Sequence, residues 1–143
     1  SRACGIVQFT DRWRGRRPGT YSSMVRLYPE AGLMKNFPAG AFDHVNAAMA
    51  EILLHDYNLS VMVKKYGQSF VRKVMDDPEF TELILSASYN GSPSWVHLAL
   101  EATVRDDYEN WVEAKNRKGQ TYLRVETRGY IKKELYLISN DLP

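Results

Sequence analysis

The chain has 143 residues, of which 44% are hydrophobic and 25% are charged. This composition is typical of one globular domain and not of a disordered chain. The 19 Lys and Arg residues against 17 Asp and Glu leave a net charge of +2, which argues against a dedicated nucleic-acid binder, because such proteins usually carry a strong basic excess. The single cysteine, Cys4, excludes an internal disulfide and a cysteine-based zinc site.

The first forty residues predict mostly turns and loops. Residues 11–20 (DRWRGRRPGT) contain four arginines, two glycines and a proline, which is typical of an exposed loop. Further turns are marked by Pro29, Gly32, Pro38 and Gly40. At most a short helix therefore fits within residues 21–28.

A long amphipathic helix is predicted after Asp43, whose carboxylate can accept a backbone N–H at a helix N-terminus. Apolar residues then follow at helical spacing: Val45, Ala48, Met49, Ile52 and Leu53. The pattern continues to Met62 and ends at Gly67, a residue type that commonly ends helices. Residues 69–75 predict a short helix, and residues 79–88, apolar on most sides, predict a buried central helix.

Asn90 and Gly91 interrupt this pattern, and Ser92 can begin the next helix. The apolar stripe of this helix is expected at Trp95, Leu98, Ala99 and Ala102. The helix is expected to continue through Tyr108 and Trp111. Residues 121–125 are β-prone but short, and a last helix is predicted over about residues 127–138. One face of that helix is expected to carry Tyr130, Ile131, Leu135 and Ile138.

These elements together predict a mainly α fold with at most a minor β element, as one domain over residues 1–143. The longest mostly apolar run, residues 83–87, is much too short to span a bilayer. The sequence therefore predicts no membrane span.

Isolated chemical signals favour no active site. The three histidines are His44, His55 and His97, and no two of them stand at a metal-ligand spacing. They are therefore interpreted as solvent-facing or core residues and not as zinc ligands. The acid pairs at residues 76–77 and 106–107 are best interpreted as solvated charge. The arginine loop (residues 11–20) could bind phosphate and stack a base or sugar on Trp13. We favour a solvated loop, or pairing of its arginines with acidic helices, over this binding role.

Three short stretches at predicted element boundaries are more specific as a set: residues 5–9 (GIVQF), 86–91 (SASYNG) and 126–131 (ETRGYI). In that order they resemble motifs of the soluble-type lytic transglycosylases, relatives of goose-type lysozyme. The first is similar to that family's Gly-Leu-Met-Gln motif, and the second, with Pro93, to its Ala-Tyr-Asn-Ala-Gly-Pro motif. The third is close to its Glu-Thr-Arg-x-Tyr-Val motif. Each stretch alone also fits a plain loop, helix stop or helix start.

The resemblance implies a lysozyme-like helical domain that binds the glycan strand of peptidoglycan. It implies an enzyme that cleaves MurNAc–GlcNAc bonds and leaves a 1,6-anhydro product. Substrate-binding side chains are implied at Gln8, Tyr89, Asn90 and Tyr130, because amides and phenols hydrogen-bond sugar N-acetyl and hydroxyl groups. Glu126 is implied as a supporting residue at a helix start. The resemblance implies no cofactor and no metal.

The sequence departs from the family pattern at two places. Asn90-Gly91-Ser92-Pro93 rearranges the small residues of the second motif, although these residues still allow a close approach of the backbone to a sugar. The family's catalytic glutamate, in a Glu-Ser pair well before the first motif, falls before Ser1 in this numbering. We therefore expect the general-acid glutamate in an upstream segment. The chain alone is expected to release little or no anhydro product, because a missing general acid commonly costs about 10²–10⁴-fold in rate.

The implied partners are the glycan strand and an upstream segment or further domains of the same protein, without nucleic acid. The implied location is a bacterial periplasm or cell envelope, or a phage virion. Two alternatives stay open: a non-catalytic peptidoglycan-binding or structural domain of the same fold, and an unrelated helical module whose arginine loop binds an acidic partner. The resemblance further predicts that the four binding residues converge on one cleft. It also predicts a largely buried and paired Glu126, because an unpaired buried carboxylate is costly.

Overall fold

The computed structural model describes residues 3–4, 7–10, 12–13, 17–104 and 108–140. These residues are mainly helical with a minor β element, which confirms the predicted fold class. The chain divides into two compact units, Ser1–Tyr57 and Asn58–Pro143. The single domain expected over residues 1–143 stays a prediction.

The first unit begins with short strands that the sequence did not predict. Among the described residues they form two antiparallel pairs: β1 (Ala3–Cys4) with β2 (Phe9–Thr10), and β3 (Arg12–Trp13) with β4 (Arg17–Pro18). The helices that follow are α1 (Thr20–Leu27), which agrees with the short helix predicted there, a 3₁₀ helix (Pro29–Ala31) and α2 (Ala39–Phe42). The strands escaped prediction because two-residue strands have no detectable alternation; only their pairing defines them.

A buried polar network holds the first unit together. Asn46 Nδ2 donates to Tyr21 Oη and to the Gly40 carbonyl oxygen, both at 2.6 Å. Asn46 Oδ1 accepts from the Met34 N–H at 2.8 Å, and Tyr21 Oη donates to the Met34 carbonyl oxygen at 2.6 Å. Phe9 packs edge-on against the Tyr21 ring with a centroid separation of 5.7 Å. The network is fully formed at its centre, which favours one conformation of this region.

Helix α3 (His44–Tyr66) begins and ends where the sequence predicts. Asp43 Oδ1 accepts from the Asn46 N–H at 2.8 Å, which is the predicted N-terminal cap. Gly67 follows the last turn with φ 73°, a positive value that glycine adopts without strain.

The predicted apolar stripe is wrong about the buried face in the first half of α3, whereas Met62, at its predicted continuation, is buried. Val45 and Ile52 are 73% and 67% exposed, and Ala48 and Met49 are exposed as well. The buried residues near the start of the helix are Asn46, Ala47 and Ala50. The physical reason is the Asn46 network, which turns that side of the helix inward and leaves room on it only for small side chains.

The second unit contains the remaining helices of the described chain: α4 (Gln68–Asp76), α5 (Pro78–Asn90), α6 (Pro93–Glu101), a 3₁₀ helix (Trp111–Glu113) and α7 (Val125–Asn140). The starts of α5 and α6 agree with the predicted boundaries. Asp77 Oδ1 accepts from the Phe80 N–H at 2.9 Å, and Ser92 Oγ accepts from the Ser94 N–H at 3.2 Å. The Phe80 N–H and the Lys73 ammonium group together lower the pKa of Asp77.

Helix α5 is central in the second unit, as predicted, because α4, α6 and α7 all pack against it. An aromatic cluster lies at this packing centre. Phe70, fully buried, has ring centroids within 5.9 Å on three neighbours: Tyr66, Phe80 and Tyr108. Edge-on and tilted contacts of this kind stabilise beyond the area that they bury.

Helix α6 is shorter than predicted and buries a different face. It ends at Glu101, so its predicted continuation through Tyr108 and Trp111 is wrong. The Thr103 hydroxyl donates to the Leu100 carbonyl oxygen at 2.7 Å and helps to close the last turn. Of the predicted stripe, Ala99 is buried, together with Val96 and Leu100, whereas Trp95, Leu98 and Ala102 are exposed.

The aromatic residues beyond α6 explain this ending. Tyr108 and Trp111 are both buried in the aromatic cluster, and they reach it from a loop and the 3₁₀ helix. Tyr108 and Asn110 adopt φ values of 57° and 55°, which a continuing helix does not allow. Burial of these rings therefore determines the backbone conformation after α6, and the helical spacing of the apolar residues does not. The last predicted helix is present as α7, which begins two residues earlier than expected.

No helix among the described residues is both long enough and apolar enough to cross a membrane.

Candidate functional site

The second and third motif stretches meet where the end of α5 lies against the beginning of α7. Gly91 ends α5, and Thr127, only 2% exposed, lies in the first turns of α7. A Cβ atom on Gly91 would lie 2.8 Å from Thr127 Oγ1 and 3.0 Å from the Ala87 carbonyl oxygen. Glycine is therefore required here for a close approach of two helices, and its φ of −99° shows that backbone strain is not the reason.

We expect Gly91→Ala to destabilise the protein by about 1–3 kcal/mol, the usual cost of overpacking a tight contact. Thr127 is β-branched and buried, so that its side chain has few alternative rotamers to move into. Thr127→Ala introduced into the Gly91→Ala variant should recover about 1 kcal/mol, because residues in contact couple. Urea unfolding monitored by circular dichroism gives all four free energies of the cycle.

Gly129→Ala is the matched control for that cycle. Gly129 lies in α7, and a Cβ atom there would meet no other atom within 4 Å. Alanine at this helical position should stabilise by up to about 1 kcal/mol. Strictly additive effects of the Gly91 and Thr127 substitutions would contradict the close contact.

The predicted binding residues are found in both units. In the second unit, Tyr89 and Asn90 form the last turn of α5, with Tyr89 half-buried and Asn90 exposed. Tyr130, 37% exposed, lies one turn beyond Thr127 in α7. Gln8 is in the first unit, exposed between the buried Val7 and Phe9, with φ 53°. The structure brings the second and third motifs together, and convergence of all four side chains on one cleft stays a prediction.

The expected burial of Glu126 is wrong. Glu126 is exposed in the first turn of α7, where a carboxylate is still favoured by the helix dipole by about 0.3–1 kcal/mol. Its neighbour Thr127 takes the buried position instead. Thr127 and Ile131, about one turn apart in α7, are the buried residues of this part of the helix. If Glu126 supports the site, it does so from the exposed surface of α7 and not from the core.

Arg128 is a functional candidate that the sequence did not single out. Its Nη1 donates to Glu113 Oε2 at 2.9 Å, which ties the first turns of α7 to the end of the 3₁₀ helix. Its Nε is buried without a hydrogen-bond partner among the described residues, as is Ser88 Oγ near the end of α5. Buried polar atoms are usually paired. The polar groups around the Gly91–Thr127 contact therefore have unused hydrogen-bonding capacity within the described chain.

His55 and His97 are partly buried, and burial and neighbouring side chains shift their pKa values. His97 Nδ1 lies 3.0 Å from Tyr66 Oη, and its pKa is lowered by burial and by the nearby Lys65 ammonium group. Burial also lowers the pKa of His55, against the opposing effect of the Glu51 carboxylate. Within the part of the chain that the structure describes, no group of three or more His, Cys, Asp or Glu residues is placed to hold a metal ion.

Several predicted features lie outside the described residues. They are Gly5 and Ile6 of the first motif, the arginine side chains of residues 12–17, the acid pair at 106–107 and the side chain of Ile138.

Comparison of the chain with family models, curated proteins and solved structures finds no match. The site thus rests on the second and third motifs and the helix contact that joins them.

Proposed function

We propose that this chain is a lysozyme-like domain that binds the glycan strand of peptidoglycan, as part of a lytic transglycosylase. The observation that carries the proposal is the Gly91–Thr127 contact. It joins the stretch that ends at residue 91 to the stretch that begins at residue 126, which are 35 positions apart in the sequence. Both stretches resemble motifs of one enzyme family, and their meeting at one helix contact is the arrangement that a shared site requires.

The side chains that lie near this contact in sequence suit a sugar ligand. Asn90 and Tyr130 expose amide and phenol groups, and Tyr89, next to Asn90 in sequence, is half-buried. An amide offers both donors and acceptors, and a phenol offers one hydroxyl that can do either. Sugar hydroxyl and N-acetyl groups are the complementary partners.

The proposed reaction is an intramolecular displacement. A hydroxyl group of the substrate attacks the anomeric carbon and closes an anhydro ring, while the bond from that carbon to the leaving oxygen breaks. One carboxyl group protonates the leaving oxygen, and the carboxylate that results takes up the proton of the attacking hydroxyl group. Neutral donors that hold the sugar in the reactive geometry then supply much of the rate acceleration. In this proposal Tyr89, Asn90 and Tyr130 position the sugar. Glu126 supports the start of α7, and the proton comes from a glutamate that the resemblance places before Ser1.

Binding to purified peptidoglycan tests the proposal. Asn90→Ala and Tyr130→Phe should each weaken binding about threefold to tenfold, because a hydrogen bond contributes about 0.5–1.5 kcal/mol. Tyr136→Phe is the matched control, since Tyr136 lies in the same helix and is 67% exposed. Co-sedimentation with peptidoglycan sacculi measures the affinities. Equal losses for Tyr130→Phe and Tyr136→Phe would contradict a site at the start of α7.

Mass spectrometry of the same mixtures reports on cleavage. The proposal expects binding with little or no release of products by this chain, and 1,6-anhydro ends once a segment with the catalytic glutamate is supplied. Reducing ends would indicate a hydrolase. Strong cleavage by the chain itself would show that an acid within it does the chemistry, and Glu126→Gln would be the first variant to test. Binding without cleavage under every condition would identify the non-catalytic domain of the same fold.

A further inference from the structure

The segment before α7 concentrates positive charge. Residues 114–125 (AKNRKGQTYLRV) contain no Asp or Glu, and their basic residues are Lys115, Arg117, Lys118 and Arg124. All four are exposed, and none forms an ion pair with a described residue. The whole chain carries a net charge of only +2. The positive charge here is therefore a local feature and not a property of the entire surface.

The backbone of this segment is fixed in a tight turn, which we call the basic turn (residues 115–121). Lys115 and Thr121 form an antiparallel bridge. Asn116 Oδ1 accepts from the N–H groups of Lys118 and Gln120, at 2.8 and 3.1 Å. Gly119 has φ 75°, where a side chain would introduce strain. These bonds hold the turn without using any of its charged groups.

Both ends of the basic turn are anchored in the core of the second unit. Trp111 and Leu123 on either side of it are buried, and the Tyr122 N–H donates to the Ala114 carbonyl oxygen at 3.0 Å. The Arg128–Glu113 ion pair connects its base to the first turns of α7. The backbone of the turn is thus tied to α7, the helix that carries Thr127 and Tyr130.

Exposed cations without an acidic partner attract oxyanions, and a turn whose backbone is already ordered adds no backbone ordering cost to binding. Guanidinium groups in particular match carboxylates with two parallel hydrogen bonds. Peptidoglycan carries such groups along its length, because the stem peptides that branch from the glycan bear carboxylates. Nucleic acid is disfavoured as the partner by the near-neutral charge of the whole chain.

We propose that the basic turn, with Arg124, is a docking surface for the stem-peptide carboxylates of peptidoglycan. The inference rests on the proposed function and adds a second contact to the same ligand. The glycan would be held at the α5–α7 contact, and the peptides that branch from it would be held by Arg117 and Lys118. Affinity would therefore depend on salt, because contacts between exposed charges are screened.

The test compares intact peptidoglycan with peptidoglycan whose carboxylates have been amidated by carbodiimide coupling. The double variant Arg117→Gln/Lys118→Gln should bind intact material about threefold to tenfold more weakly, since exposed ion pairs are individually weak. It should bind amidated material as the original chain does. The double variant Lys132→Gln/Lys133→Gln is the matched control, because it removes the same charge from exposed positions of α7. Circular dichroism confirms that each variant is folded.

The outcomes separate this inference from the proposed function. Equal affinity of the original chain for intact and amidated peptidoglycan would overturn the docking surface and leave the glycan site standing. Equal losses in the two double variants would overturn it as well, as would tighter binding of single-stranded DNA that depends on Arg117 and Lys118. Absence of binding to both forms of peptidoglycan would overturn both proposals.

Discussion

Phe70→Ala is expected to destabilise the second unit by about 3–5 kcal/mol, the usual cost of deleting a buried aromatic ring. Phe70 is fully buried, and its ring contacts those of Tyr66, Phe80 and Tyr108 at centroid distances of 5.5 to 5.9 Å. Removal of the ring leaves a cavity that rigid neighbouring rings fill poorly. Urea unfolding followed by circular dichroism measures the loss.

Met75→Ala is the matched control for Phe70→Ala. Met75 lies in the same helix, α4, but is 76% exposed. Its truncation should change stability by less than about 0.5 kcal/mol, as is usual for surface positions. Phe70→Leu, which keeps much of the volume, should fall between the two. A loss for Phe70→Ala no larger than that for Met75→Ala would show that the aromatic cluster is not the centre of this unit.

Asn46→Ala should destabilise the first unit by about 3 kcal/mol, because each buried polar group left without its partner costs about 1–3 kcal/mol. The substitution removes two hydrogen bonds donated by the side-chain amide and one accepted by it. Tyr21 Oη, the Gly40 carbonyl oxygen and the Met34 N–H all lose this partner. Thermal and urea unfolding of the variant report the effect.

Two further substitutions define the origin of that loss. Tyr21→Phe removes only the hydroxyl group and should cost less than Asn46→Ala, because Asn46 keeps its bonds to Gly40 and Met34. Asn36→Ala changes an exposed asparagine of the same unit and should be nearly neutral. A loss for Asn36→Ala as large as that for Asn46→Ala would contradict the buried network.

Helix boundaries could be predicted from the sequence because local chemistry decides them. Asp43, Asp77 and Ser92 accept backbone N–H groups at helix starts, and Gly67 takes the positive φ angle that ends α3. These interactions join residues at most three positions apart or concern one residue's own φ angle. The helical content and the order of the helices follow from the same local signals.

The buried faces of α3 and α6 could not be predicted in this way. Hydrophobic periodicity favours the larger apolar side chains, yet Val45 and Ile52 are exposed and Ala47 is buried. The choice depends on Asn46, whose partners on Tyr21 and Gly40 lie in other elements. The early end of α6 likewise depends on the burial of Tyr108 among rings that come from other helices.

The candidate site shows the same division between local and tertiary causes. By itself, the sequence determined the mainly helical class, the main helix boundaries and the three motif stretches, because each depends on neighbouring residues or on residue type. Only the tertiary structure decided that Gly91 meets Thr127, that Thr127 and not Glu126 is buried, and that Arg128 pairs with Glu113. These contacts join residues far apart in the chain, and their energies depend on how α5, α7 and the 3₁₀ helix pack, which no local pattern encodes.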